Sequence, residues 1–197
     1  MIAIIDTGGA NLSSVRNALD RLDQPSTVTK DADVIRQAER VILPGVGAAK
    51  DSMKRIENAD LVDVIRQLKQ PVLGICLGMQ LLFERSEEGD TPCLGVIPGM
   101  VRKIPRHDEL SLPHMGWNRL RLHAAQKSPL LHRLREGDWF YFVHSYYGEV
   151  NEYTLSVTDY GTEIAAIVHK DNFYGTQFHP EKSAGAGTQI LRNFISL

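Results

Sequence analysis

The chain has 197 residues, of which 43% are hydrophobic and 23% charged, a composition that fits a soluble globular protein with a well-filled core. Its 22 basic and 24 acidic side chains leave a formal net charge of −2, so neither nucleic acid nor an anionic membrane is an expected partner. The two cysteines, Cys76 and Cys93, make no disulfide framework and no zinc motif, and Met1-Ile2-Ala3-Ile4-Ile5-Asp6 has no signal-peptide character, so the expected location is a reducing cytoplasm.

Ile2 to Ile5 predicts a strand, and Leu12, Val15, Leu19 and Leu22 then recur at helical spacing. Val41-Ile42-Leu43 predicts a second buried strand. Leu61, Val64, Ile65 and Leu68 mark a further helix, and Pro71 to Ile75 a third strand. Strands apolar on both faces and separated by helices predict an α/β fold, with a mostly parallel central sheet covered by helices on both sides. Such sheets place their sites outside the carboxyl ends of the strands. Two loops at that edge are rich in glycine: Asp6-Thr7-Gly8-Gly9-Ala10-Asn11 and Pro44-Gly45-Val46-Gly47. After Gly74-Ile75-Cys76-Leu77-Gly78, the run Met79 to Phe83 predicts a buried helix.

Beyond about residue 90 the pattern changes. Phe140 to His144, Leu155 to Thr158, Ile164 to His169 and Phe173 to Phe178 are short, aromatic and β-branched, and predict additional antiparallel strands. Gly187 to Leu197 carries Ile190, Leu191, Phe194 and Ile195 on one face and predicts a closing helix. With no linker, repeat or low-complexity tract, residues 1–197 read as a single domain.

Cys76 has glycine two residues away on each side, at a strand-to-helix crossing, which is the layout of a nucleophile elbow. A helix N-terminus beneath it would favour the thiolate. The alternative is a structural cysteine packed in a core. Gln177-Phe178-His179-Pro180-Glu181-Lys182-Ser183 supplies what a cysteine nucleophile needs. His179 follows a predicted strand and can act as base; Glu181, two residues on with Pro180 between, can fix its tautomer. Gln80, about one helical turn beyond the elbow, can reach a polar ligand. His107, His114, His123, His132, His144 and His169 lack metal-ligand spacing, and Cys93 has no base or glycine frame nearby. A cysteine peptidase or a stand-alone amidase could use the same elbow.

The chain resembles the class I (triad) glutamine amidotransferases from Met1 to Leu197. The general signature is Pro44-Gly45-Val46-Gly47, Gly74-Ile75-Cys76-Leu77-Gly78-Met79-Gln80 and Gln177-Phe178-His179-Pro180-Glu181. Pro113-His114-Met115-Gly116-Trp117-Asn118 and Phe142-Val143-His144-Ser145-Tyr146 are similar to the glutaminase subunits of imidazole glycerol phosphate synthase. The relatives that serve pyridoxal phosphate synthesis usually have Gly-Gly-Glu where this chain has Gly45-Val46-Gly47. Thr7 after Asp6 and Ala10 before Asn11 depart from the commoner forms of the opening loop.

The resemblance implies a flavodoxin-like sheet and a Cys76 nucleophile, with His179 as general base and acid and Glu181 as its orienting carboxylate. It implies oxyanion donors at Leu77 and in the Val46-Gly47 segment, and glutamine contacts from Gly47, Gln80, Ser145 and Tyr146. It implies no cofactor and no metal. It further implies a heterodimer with a (β/α)8-barrel cyclase subunit that receives ammonia and makes imidazole glycerol phosphate and an aminoimidazole carboxamide ribonucleotide. Asn11, Trp117, Tyr141 and Lys182 are the candidate residues for that contact, Trp and long basic side chains being common interface elements.

Overall fold

In a computed structural model, which describes residues 1–8, 11–123 and 127–197, the first half of the chain alternates strand and helix. β1 (Ile2–Ile5), α1 (Leu12–Asp20), β2 (Ser26–Thr29), α2 (Ala32–Gln37), β3 (Arg40–Leu43), α3 (Ala49–Asn58), α4 (Val62–Gln67) and β4 (Val72–Ile75) follow in order. Gly9 and Ala10 of the opening loop lie outside the described residues.

Alternate residues of one strand serve opposite layers, as the period-2 direction of strand side chains requires. Ala3 and Ile5 of β1 pack in one apolar layer with Met53, Ile56, Val64 and Ile65 from α3 and α4. Ile2 and Ile4 pack in the other with Val15 and Leu19 of α1. Strands buried on both faces are the expected consequence of helices on both sides.

After β4 the elements shorten: α5 (Leu77–Gln80), β5 (Arg85–Ser86), β6 (Thr91–Pro92), β7 (Met100–Lys103), β8 (His114–Arg119) and β9 (Arg121–Leu122). Then come β10 (Trp139–His144), β11 (Tyr146–Gly148), β12 (Thr154–Asp159), β13 (Glu163–Lys170), β14 (Phe173–Thr176) and α6 (Ala184–Ile195). The helix expected over Met79 to Phe83 is therefore a single turn that ends at Gln80. Leu81, Leu82 and Phe83 continue as buried turns whose carbonyls accept from the amides of Leu94, Gly95, Val96 and Ile97 at 2.8–2.9 Å. Apolarity on all sides reported burial there, not helix.

The main sheet has eight strands in the order β2-β1-β3-β4-β14-β13-β12-β9. The five from β2 to β14 are parallel, and β13, β12 and β9 continue the sheet antiparallel. β14 corrects the antiparallel expectation for residues 173–178 on one side only. It runs antiparallel to β13 but parallel to β4, with Thr176 opposite Ile75. β8 and β10 pair as a separate two-stranded sheet, and β11, β7, β5 and β6 form another. No helix among the described residues is long and apolar enough to cross a membrane.

Candidate active site

The β4–β14 pairing brings together two segments a hundred positions apart. Past the last register pair, the Cys76 amide donates to the Thr176 carbonyl at 2.7 Å. Cys76 then turns at φ 54, ψ −110, a left-handed conformation that costs a side-chain-bearing residue about 1–3 kcal/mol. Close packing around it demands glycine. A Cβ on Gly78 would overlap the Leu43 carbonyl, one on Gly74 would meet Gly78 O at 2.7 Å, and one on Gly45 would meet Gly78 N at 2.5 Å. The same contacts hold the Pro44–Gly47 loop beside Cys76. With α5 only four residues long, any dipole contribution at Cys76 is confined to one turn.

His179 Nδ1 lies 2.7 Å from Glu181 Oε1, and both side chains are buried, at 2% and 0% exposure. That leaves Nε2 for a second partner, and Cys76 and His179 line the same cavity. Burial alone would depress the His179 pKa, but the negative sulfur and the Glu181 carboxylate outweigh it and hold the imidazolium up to about 10. Burial would raise Glu181, yet the His179 hydrogen bond and charge, with the Asn11 amide, hold it below the usual carboxylate range. The backbone is clamped as well: the His179 amide donates to Tyr141 O at 3.0 Å, and Ser183 Oγ donates to His179 O at 2.6 Å.

Asn11 is placed differently from the expectation of a partner contact. It is only 7% exposed, because its Nδ2 donates to Glu181 Oε1 at 2.6 Å and lies 3.3 Å from His179 Nδ1. The amide holds the Glu181 carboxylate from the inside. The other three candidate contact residues lie at the surface or near it. Lys182 is exposed, Trp117 is 49% exposed, and the half-buried Tyr141 ring meets it edge-on at 6.1 Å.

A cavity of about 330 Å³ opens over the sulfur, within the ordinary size range of small-molecule sites. Cys76, His179, Leu77, Val46, Gly47, Gln80, Ser145 and Tyr146 all line it. Leu77, as the first residue of α5, has an N–H with no intrahelical acceptor. Gln80 Nε2 is engaged by the protein, donating to Tyr146 O at 2.7 Å and Gln177 Oε1 at 3.0 Å. Gln177 Nε2 in turn lies 3.7 Å from Cys76 Sγ.

Glu88, Pro113, Val143 and His144 also line this cavity and were not among the expected site residues. For His144 a signal exists in the alternation Phe140, Phe142, His144, which points all three to one face of β10. Glu88 arrives on an irregular turn that carries no periodicity. Cys93 is buried away from the site, and burial pushes its thiol up to about 11.

A parallel-sheet elbow carrying a cysteine, with a buried His–Glu pair at the same cavity, is the arrangement expected of the triad class of glutamine-hydrolysing amidotransferases. The sequence model of the family described as glutamine amidotransferase class-I matches residues 3–197, and the chain belongs to that family. It is 51% identical over 197 residues to imidazole glycerol phosphate synthase subunit HisH 2 of Legionella pneumophila (strain Paris), covering 100% of this chain and 98% of that one. It is 49% identical over 196 residues to imidazole glycerol phosphate synthase subunit HisH of Xylella fastidiosa (strain Temecula1), covering 100% and 97%. A solved glutamine amidotransferase from Thermotoga maritima shares the fold at a TM-score of 0.66, with 15% identity and coverage of 99% and 80%.

Proposed function

We propose that this chain is a single-domain, cytoplasmic glutaminase subunit of imidazole glycerol phosphate synthase in histidine biosynthesis. Its partner on this reading is a separate (β/α)8-barrel cyclase subunit. The observation that carries it is the meeting of Cys76 and His179 at one cavity also lined by Gly45, Val46 and Gly47, with Glu181 paired to His179. Full-length likeness to two HisH subunits supports the choice of synthase.

Cys76 attacks the side-chain amide carbon of glutamine as the thiolate, with His179 as its imidazolium partner. The carbonyl oxygen takes the electron pair and becomes an oxyanion, met by the Leu77 N–H and by an N–H of the Val46-Gly47 segment. Each such donor is worth roughly 3 kcal/mol in comparable sites. As the tetrahedral species collapses, the C–N bond breaks and His179 gives its proton to the departing nitrogen, so ammonia leaves and a γ-glutamyl thioester remains. His179, now neutral, takes a proton from water; the hydroxide displaces the sulfur, releasing glutamate and restoring the ion pair. Glu88 is the one carboxylate among the described cavity-lining residues and suits the α-ammonium group of the substrate.

Ammonia set free in bulk water would be protonated and lose its nucleophilicity, so delivery to a docked synthase is the physical reason for a partner. Trp117, Tyr141 and Lys182 are the proposed contact residues. Met115, two places before Trp117 on the same face of β8, is 66% exposed, so the outer side of the hairpin is apolar and open. Gly47, at φ +93, leaves the oxyanion loop free to change conformation when the partner docks. The test is ammonia release from glutamine by the chain alone, with the barrel subunit, and with the barrel subunit and its ribonucleotide ligand. Weak activity alone and a strong rise with partner and ligand are expected. Full activity alone would contradict the gating, and equal turnover of peptides would contradict the substrate.

A further inference from the structure

Two histidines that the chemistry above does not use form an ordered pair, of which His144 lines the cavity. His114 opens β8, His144 closes β10, and the two are register partners. Both side chains face inward, at 2% and 6% exposure. Along the same strands Trp117 and Tyr141 are also register partners, on the outer face.

The hydrogen bonds allow one protonation pattern for the pair. His144 Nδ1 lies 2.8 Å from the Tyr146 carbonyl oxygen, which can only accept, so this nitrogen carries the hydrogen. In a neutral ring His144 Nε2 then accepts, and His114 Nδ1, 3.0 Å away, must donate. His114 Nε2 is left as an acceptor, and the amide nitrogen of Asn118 stands 3.3 Å from it. That nitrogen also donates to Asp159 O at 2.8 Å, which fixes it as the NH2 group. The His114 ring is held between Tyr160, with centroids 3.9 Å apart, and Phe142, at 5.0 Å. Burial pushes His114 down to about 4 and His144 to about 3, the latter helped by the neighbouring charges of His114 and His179, so both rings are neutral near pH 7.

The Tyr146 carbonyl is where this chain meets the site. It accepts from Gln80 Nε2 at 2.7 Å; the same nitrogen donates to Gln177 Oε1 at 3.0 Å, and Gln177 Nε2 reaches Cys76 Sγ at 3.7 Å. A continuous polar path thus runs from Asn118, beside Trp117 on the hairpin, to the nucleophile.

We propose that His114 and His144 are positioning residues: a neutral imidazole pair that fixes the Tyr146 carbonyl and, through it, the Gln80 and Gln177 amides at the glutamine site. The effect on turnover rests on the glutaminase reading above; the geometry of the pair does not. His144 lines the cavity, but its two ring nitrogens are taken by the Tyr146 carbonyl and His114, so the proposed action of the pair runs through Gln80 and Gln177.

Two measurements test this on the full chain. The first is long-range proton–nitrogen NMR of the imidazoles in the wild-type protein at pH 7. Both rings are expected as neutral Nδ1–H tautomers, and an Nε2–H tautomer or an imidazolium at either position overturns the proposal whatever the enzyme does. The second is glutaminase kinetics in the complex with the barrel subunit. His144→Phe, which cannot donate to Tyr146 O, should lower kcat/KM for glutamine by about tenfold or more, the loss expected for one unmet buried hydrogen bond. His144→Asn places an amide N–H near the Nδ1 position and should recover most of that loss. Ring closure fed with ammonium salts should be equal in all three proteins, which shows that fold and docking are intact. Equal kcat/KM for wild type and His144→Phe, or no recovery in His144→Asn with ammonium-fed turnover intact, overturns the proposal. Absence of glutamine turnover in the wild-type complex would instead overturn the glutaminase reading and leave the NMR result to decide on the pair.

Discussion

Asn11 Nδ2 lies 2.6 Å from Glu181 Oε1, the same oxygen that stands 2.7 Å from His179 Nδ1. Two donors converge on one carboxylate oxygen, so the carboxylate cannot swing away from the ring without losing both. Two segments that are remote in the chain therefore share one hydrogen-bonded unit: the loop before α1 and the turn after β14.

Asn11→Ala removes a hydrogen bond to a charged group, worth about 1.5–3 kcal/mol, and should lower kcat for glutamine by roughly 10- to 100-fold. Because the Asn11 amide helps to depress the Glu181 pKa, the acid limb of the pH–rate profile should move to higher pH. A profile whose limb does not move would mean that the amide does not stabilise the carboxylate.

The glycines around the elbow divide into two kinds. A Cβ on Gly78 would overlap the Leu43 carbonyl, so Gly78→Ala should give a protein that melts far below wild type or does not accumulate in soluble form. Around Gly47, at φ +93, a Cβ would meet nothing within 4 Å. Gly47→Ala should therefore lose only about 1–2 kcal/mol of stability, from backbone strain, while glutamine turnover falls sharply because the oxyanion loop is re-set. Thermal melts beside turnover assays separate the two outcomes.

The buried imidazoles set the acid stability. An unfolded histidine titrates near 6.5, whereas His114 and His144 are held at about 4 and about 3. Between those values the unfolded chain binds more protons than the folded one, so stability is fully present above about pH 6.5 and falls on acidification, by at most about 3 kcal/mol per pH unit for two groups. His179 has the opposite sign: its contribution is complete below about 6.5 and is lost as pH rises toward about 10. Urea midpoints at pH 6.5 and 5 should fall for wild type and fall about half as steeply for His144→Asn, one of two titrating groups being removed.

Trp117 is half exposed, at 49%, so Trp117→Ala should change the stability of the isolated chain by no more than about 0.5 kcal/mol. If it anchors the partner, the same substitution should weaken binding of the barrel subunit by about 2 kcal/mol or more, measurable by titration calorimetry. Equal affinity would remove Trp117 from the interface.

Sequence periodicity sufficed where it was strong and local. The buried runs of β1, β3 and β4 and the stripes of α1 and α4 are where apolar spacing places them, and α6 begins at Ala184, slightly before the expected start at Gly187. It failed where burial is uniform, as over Leu81 to Phe83, where strands are only two residues long, as for β5 and β6, and where they carry no buried apolar run, as for β2 and β7. α2 and α3 have stripes too interrupted to stand out from their polar neighbours. The grouping of Cys76, His179 and Glu181 was legible because an elbow and a His-Pro-Glu turn are local patterns. The roles of Asn11, Glu88 and the His114–His144 pair were not, because each depends on a partner that only β14 insertion or the β8–β10 register supplies.

The sharpest test is Cys76→Ala in the assembled complex with the barrel subunit, assayed for ammonia release from glutamine and for ring closure fed by ammonium salts. Loss of glutamine-dependent release by at least about a thousandfold, with ammonium-fed ring closure retained, is the predicted result. Ammonia still released from glutamine at the wild-type rate would contradict a thioester at Cys76 and, with it, the account of this site.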